Sequence, residues 1–592
     1  MCFRKDIIVK KRGVEMARTA AIGEQDFRKM IENQYFYVDK TSFIKEWWEN
    51  GDTVTLITRP RRFGKTLTMD MLECFFSIQD TGQGSLFADL CIWKEEKYRR
   101  IQGTYPVISL SFAGVKGSQY RIVRKKICQL LVNLYEKHRY LLDSGFLKGE
   151  SAAFFQRVSV NMDDADASLS MGQLSQYLYS YYQKKVIILL DEYDTPMQEA
   201  YVNGYWDELA DFMRGLFNFT FKTNPFLERA VMTGVTRISK ESIFSELNNL
   251  IVVTASTRLY ETAFGFTEGE VYAALEEYAL QDQMPQVKSW YDGFQFGNSN
   301  CIYNPWSIIN FLKFKELKPY WANTSSNRLV GQLIYKSDKD TKMIMEDLLQ
   351  GKSFCAQIDE EIIFSDLDMK KSAIWSLLLA SGYLKVLRIV KNRRGKKEYE
   401  FALTNKEAFF IFDEMVMGWF SNNKLNYSEF SDALISGNIV YMNEYLRTIS
   451  METISFFDTG VKPSASRHPE NFYHGFVLGL IADLREVYKV TSNRESGTGR
   501  YDVMLDPYNP QLDDGIILEF KVFDAKKEKQ LDDTVQAALL QIIEKRYAAV
   551  LEAKCSKDQI WIYGFAFRGK EVLIDGGCLA HIEGQIHAGT AF

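Results

Sequence analysis

Residues 54–58 form an apolar, β-branched run that leads into Arg59-Pro60-Arg61-Arg62-Phe63-Gly64-Lys65-Thr66, and an apolar-periodic stretch from Leu67 to Phe76 follows at once. Strand, tight turn and helix in immediate succession leave few folds open. A strand apolar on both faces needs helices over both, so the pattern predicts a parallel α/β sheet with its ligand at the carboxyl ends of the strands. Three more runs repeat the theme. Residues 107–112 precede a long basic-amphipathic helix over 120–138, residues 186–190 run straight into Asp191-Glu192, and residues 230–235 end at Thr236-Arg237.

In a phosphate-binding loop, backbone N–H groups curl round a phosphate, a lysine pairs with the β/γ oxygens, and the next hydroxyl ligates Mg²⁺. Gly64, Lys65 and Thr66 fill those last positions at the mouth of a helix whose dipole favours anions. Arg62 and Phe63, just before them, complete the candidate loop set, and Arg61 and Arg62 either meet phosphate or solubilise the loop. Arg59 stands where the first glycine of such a loop is expected. A non-glycine residue resists positive φ, so the loop must enter differently, pinned by Pro60. The strand over 186–190 supplies the partner. Asp191 is placed to hold Mg²⁺ through water, and Glu192 to orient the attacking water. Thr236 and Arg237 are candidates to sense a γ-phosphate, with strand-end capping as the competing role.

At 592 residues the chain is too long for one core. The expected division is an N-terminal extension (1–19), an α/β nucleotide-binding domain (20–240), a helical lid (241–365), a winged-helix-like segment (366–457) and a final α/β domain (470–592). The lid rests on helices over 269–280 and 305–313, with Trp290-Tyr291-Asp292-Gly293-Phe294 as an aromatic turn. The winged-helix reading rests on a helix over 370–381, strands over 382–387 and 399–403, and a basic tip over 391–397 that touches phosphate or simply faces water. Residues 458–469 are the best linker candidate. Net charge is −5, so any nucleic-acid binding must come from local patches. Eight cysteines without a CxxC pair, and only five histidines, argue against structural zinc and disulfides. That usage suits a reducing cytoplasm. No apolar run is long enough to span a bilayer, and the basic residues 1–15 lack a signal peptide's apolar core.

Near the C-terminus stands Ile517-Leu518-Glu519-Phe520-Lys521. Side chains alternate along a strand, so Glu519 and Lys521 share one face while Leu518 and Phe520 enter the core. A hairpin pairing of residues 500–505 with 516–522 brings Asp502 beside Glu519. Two carboxylates can hold Mg²⁺ by oxygen ligation, with Lys521 positioning or activating the nucleophile. Glu495 is a further candidate ligand, with Glu486 as its rival, and Gln541 is placed to order the attacking water or the backbone. The surrounding order is a helix over 472–487, strands over 488–491, 501–505 and 516–522, a helix over 530–545 and strands over 548–551 and 559–567. That order resembles the restriction-endonuclease-like PD-(D/E)XK core.

The stretches AIGEQDFRKMIENQYFYVDKTSFI, ITRPRRFGKTLTMDML, VIILLDEYDTPM, MTGVTRISKESIFSELNNL, WYDGFQFG, YNPWSI, GTGRYDVML and ILEFKV, spread over residues 21–522, resemble the bacterial AAA-ATPase-like proteins that end in a PD-(D/E)XK nuclease domain. An arginine in place of the first loop glycine belongs to that family's pattern. The resemblance implies ATP and Mg²⁺ as cofactors and an AAA-like domain over 20–240. It also implies a nucleic-acid partner, DNA first, with possible homo-oligomerisation and no membrane. The expected function is an ATPase whose nucleotide state controls a Mg²⁺-dependent DNA nuclease, suited to defence or mobile-element DNA processing. The alternative is an ATP-dependent signalling or scaffold switch whose nuclease fold serves only for binding.

Overall fold

The computed structural model describes residues 17–236, 243–244, 247–321, 330–331, 333–334, 337, 339–349, 351–358, 371–391, 397–412, 427–453, 477, 481, 484, 487–496, 499–525, 527–568 and 571–587. The chain divides into two compact units, Met1–Phe412 and Asp413–Phe592.

The first unit is built on five parallel strands: β1 (Val54–Thr58), β2 (Val107–Ser111), β3 (Val186–Asp191), β4 (Leu227–Gly234) and β5 (Leu250–Val253). They lie in the order β2-β3-β4-β1-β5. Every residue of β1 and β3 is buried, as strands covered on both faces require. Because β4 is inserted between β1 and β3, its carboxyl end lies between the loop after β1 and the acids after β3. Phe43, Trp47, Leu72, Phe75, Phe76, Phe87 and Tyr98 fill the core beside Ile57, Ile187, Leu189 and Val231. The sequence pattern reads as a helical lid from residue 241 and gives no sign of β5. This edge strand is four residues long and leaves Ile251 exposed, too short a run to stand out.

The stretch expected to be helical carries helices Glu268–Glu277, Met284–Tyr291 and Pro305–Phe314. It also holds a small antiparallel sheet of β6 (Phe266–Thr267), β7 (Phe294–Phe296) and β8 (Ser299–Tyr303), in the order β6-β8-β7. The aromatic turn is the join between a helix and β7. Beyond it, β9 (Phe354–Ala356) precedes helix Lys371–Ala380 and joins β10 (Leu384–Lys391) and β11 (Lys397–Leu403), which follow the helix, in a third sheet. Most of the basic tip, residues 392–396, lies outside the described residues.

The second unit is one five-stranded sheet in sequential order: β12 (Tyr488–Ser496), β13 (Gly499–Pro507), β14 (Gly515–Val522), β15 (Ile560–Arg568) and β16 (Glu571–Cys578). Only β14 and β15 run parallel, joined by a crossover through helix Leu531–Glu544. Side-chain alternation sorts β14 cleanly. Ile516, Leu518 and Phe520 join Phe565 and Phe567 on one face, packed on Phe430, Leu434, Met442 and Leu446. Those four come from helices Tyr427–Ile435 and Ile439–Thr453, which therefore belong to this unit's core. Asn443 fastens them by bonding both the N–H and the carbonyl of Ile574 (2.9 and 2.7 Å). On the other face Ile517 packs with Val535, Leu539 and Ile542 of the crossover helix. The strand expected over 548–551 is instead part of a helical turn, Ala549–Glu552, that seats Leu551 against Gly515. Four apolar residues cannot by pattern alone distinguish strand from helix. Most of residues 472–487, Glu486 among them, and all of 458–469 lie outside the described residues. Among the described residues no helix is long and apolar enough to cross a membrane.

Candidate active sites

The phosphate loop leaves β1 with Arg59 fully buried. Its backbone is not left-handed. Positive φ falls instead at Arg62 (68°) and Gly64 (78°), which resolves how a loop without the first glycine can turn. The Arg59 guanidinium donates to the carbonyls of Thr58 (2.9 Å) and Thr254 (3.0 Å) and lies 4.4 Å from the Phe296 ring centre. It caps strand ends and holds the loop root. Phe63 is buried edge-on against Phe294 and Phe296, at 4.8 and 5.4 Å between ring centres. Arg62 is exposed, its guanidinium 4.3 Å from the Trp306 ring centre. A left-handed non-glycine residue costs about 1–2 kcal/mol, and an exposed cation–π contact returns about 0.5–1 kcal/mol.

Lys65 opens helix Lys65–Phe76, and its ammonium donates to the carbonyls of Arg59 (2.9 Å) and Pro60 (2.8 Å). Burial lowers its pKa, opposed by the charges of Glu192, Asp191 and Asp194. The Thr66 hydroxyl donates to Asp191 Oδ2 at 2.7 Å, so the first loop hydroxyl and the carboxylate ending β3 meet at one point. Thr233 on β4 donates to the other Asp191 oxygen and accepts from the Glu192 N–H (3.3 Å). Glu192 takes a left-handed backbone (φ 51°), and its carboxylate accepts from Thr195 at 3.1 Å.

The Thr236 hydroxyl and N–H both donate to Asp194 Oδ2 at 2.8 Å, joined by the N–H of Val235 at 3.0 Å and Gln198 Nε2 at 2.9 Å. Asp194 thus staples the end of β4 to the turn after β3. Arg237 lies outside the described residues. Gly64, Lys65, Thr66, Glu192 and Trp306 line one cavity of about 370 Å³, which runs on to Gly23, Phe36 and Val38 near the N-terminus.

In the second unit, β13 pairs with β14 as Val503↔Leu518, and the next step of that register sets Asp502 opposite Glu519. Asp502 Oδ2 accepts the Phe520 N–H at 2.8 Å. Glu519 is buried, and its carboxylate accepts from Gln541 Nε2. The same Gln541 accepts the Lys521 ammonium at 2.6 Å through Oε1, so one amide on the crossover helix bridges acid and base. Burial raises the Asp502 pKa, against the opposing Phe520 N–H and Lys521 charge. Glu495 is in β12 opposite Arg500, and its side chain lies outside the described residues.

Both donor sets are oxygen: a hydroxyl with a carboxylate in the first unit, two carboxylates in the second. Mg²⁺ is commonly bound by one or two carboxylates, with waters and phosphate oxygens completing its shell, and both sets fit it. Among the described residues no cluster of three or more His, Cys, Asp or Glu side chains could hold a metal.

Sequence reasoning overlooked Thr233, Asp194, Thr195 and Tyr547. Thr233 was visible as a lone hydroxyl in an apolar strand, and Asp194 as the third acid of Asp191-Glu192-Tyr193-Asp194. Tyr547 carried no local signal. Left-handed Arg546 turns the chain, and the Tyr547 hydroxyl then accepts from Gln541 at 3.1 Å.

Residues 21–244 match the model of a family described as Predicted AAA-ATPase, and residues 468–576 match that of the PD-(D/E)XK nuclease superfamily. An uncharacterized protein in the vnfD 5′ region of Azotobacter chroococcum mcd 1 is 28% identical over 403 residues, covering 67% of this chain and 69% of that protein. The chain carries an AAA-ATPase-like domain toward its N-terminus and a PD-(D/E)XK nuclease superfamily domain toward its C-terminus.

Proposed function

We propose that the first unit binds and hydrolyses ATP with Mg²⁺, that the second cleaves DNA with Mg²⁺, and that nucleotide state licenses the cut. On ATP binding, Lys65 exchanges two loop carbonyls for β/γ-phosphate oxygens, and Gly64 lets the backbone approach them. Thr66 and Asp191 hold Mg²⁺, while Glu192 orients the attacking water and takes its proton. Arg237 is the candidate for a γ-phosphate sensor, while Thr236, bonded to Asp194 through its hydroxyl and N–H, holds the end of β4.

In the second unit Asp502 and Glu519 hold the metal, with Glu495 as a further ligand. When bound, Mg²⁺ lowers the pKa of its water and neutralises the scissile phosphate. Lys521 positions the nucleophile, and Gln541 holds Lys521 and Glu519 in mutual register. The observation that carries this reading is Gln541 bonded to both Lys521 and Glu519, with Asp502 opposite Glu519 in register and bonded to the Phe520 N–H. A cytoplasmic role in defence or mobile-element DNA processing, in a homo-oligomer, suits such a cutter. The test is incubation of pure protein with DNA and Mg²⁺ beside Glu519→Ala. Cleavage by the wild type alone is expected; equal activity in both removes the nuclease assignment and leaves a DNA-binding switch.

A further inference from the structure

Besides the Lys65 ammonium, which bonds the carbonyls of Arg59 and Pro60, the front of the phosphate loop is held by residues from outside it. Arg59 is held by the carbonyl of Thr254 and the ring of Phe296, and Phe63 by Phe294 and Phe296. Asn304 Nδ2 donates to the Arg61 carbonyl at 3.4 Å, and its Oδ1 accepts the Trp306 N–H at 2.9 Å, so one side chain ties the loop to the start of helix Pro305–Phe314. The Trp306 indole is itself fixed, since Nε1–H donates to the Tyr320 carbonyl at 3.2 Å. Against this fixed ring lies the Arg62 guanidinium, on the one non-glycine loop residue with a left-handed backbone.

We infer that Trp306 is a positioning residue of the phosphate loop, holding Arg62 by its guanidinium and so keeping Gly64 and Lys65 in the conformation that receives a triphosphate. This rests on the ATP reading of that loop. Arg62 carries the strained turn that a glycine would adopt freely, and the stack supplies the missing restraint. Trp306 also lines the cavity, so its action through Arg62 must be separated from direct contact with a nucleobase. Inorganic tripolyphosphate, which has no base, separates them.

The experiment measures equilibrium binding of Mg²⁺-ATP and Mg²⁺-tripolyphosphate to the full chain and its variants. Trp306→Ala is expected to weaken both ligands by the same factor, roughly two- to fivefold for an exposed cation–π contact. Trp306→Phe, which keeps an aromatic face, restores most of the loss. In an Arg62→Gly background the Trp306 substitution has no further effect. If Trp306→Ala does not fold, Arg62→Ala breaks the same contact from the loop side and predicts the same common loss. Loss of ATP affinity alone, an additive double variant, or no change overturns the inference. Tripolyphosphate binding that is Lys65-dependent but indifferent to Trp306 sinks the inference and spares the ATP reading. Binding unaffected by Lys65→Ala removes both.

Discussion

Gln541 uses both ends of one amide, accepting from Lys521 and donating to Glu519. Gln541→Ala leaves each charge without its guide and is expected to lower the DNA cleavage rate roughly 10–100-fold, as loss of a group that orients metal ligands commonly does. A thermal melt close to wild type would show that the loss is local. Glu407 offers a pH test. It is fully buried, accepts from Ser307 Oγ (2.7 Å) and the Trp321 N–H (2.9 Å), and burial pushes its carboxyl up to about 8. The native state then binds a proton that the unfolded chain has released, so this group's contribution to stability falls as pH rises from the usual carboxylate range to about 8. The slope is at most about 1.4 kcal/mol per pH unit. Melting temperatures of wild type and Glu407→Gln between pH 5 and 9 should diverge in slope over that window. Parallel curves would refute it. Glu519, Lys521 and Asp502 were legible because charge is costly on a buried strand. Tyr547 and Thr195 were not, because their roles depend on turns that no periodicity announces.

β4 connects the two halves of the candidate nucleotide site, and it does so at close quarters. A Cβ on Gly234 would meet the Tyr193 ring at 2.6 Å and Asp194 Oδ1 at 2.8 Å. Gly234→Ala should therefore destabilise the first unit by roughly 1–3 kcal/mol and weaken ATP binding, measured by melting and by nucleotide titration. Unchanged values would mean that the Asp194 staple yields freely. β1, β3 and β14 were readable from the chain because buried strands write continuous or alternating apolar runs. β5 and the helical turn at Ala549–Glu552 escaped because four residues carry too little pattern, and sheet-edge position and packing against Gly515 decide them.

Two compact units in one chain predict two separable melting transitions. Phe565 is buried in the core shared by β14, β15 and the helices Tyr427–Ile435 and Ile439–Thr453. Phe565→Ala should cost about 3–5 kcal/mol, lowering one calorimetric transition while Lys65-dependent ATP binding persists. A single transition that moves as a whole would contradict the division. Coupling is a separate question, answered by assaying cleavage with and without ATP in Lys65→Ala and Lys521→Ala. Loss in both couples the sites, and loss only in Lys521→Ala leaves them independent.

By itself the order of residues determined a parallel nucleotide-type sheet, a carboxylate-and-lysine strand, and the pairing of Gly64-Lys65-Thr66 with Asp191-Glu192. Those are local or periodic features, and local chemistry is written in local sequence. The tertiary structure alone decided that Arg62 rather than Arg59 turns the loop and that Trp306 lies against it. It alone decided that Asp194 holds Thr236 and that Gln541 joins Glu519 to Lys521. Each of these is a contact between distant segments, fixed only when the sheets form and bury them together.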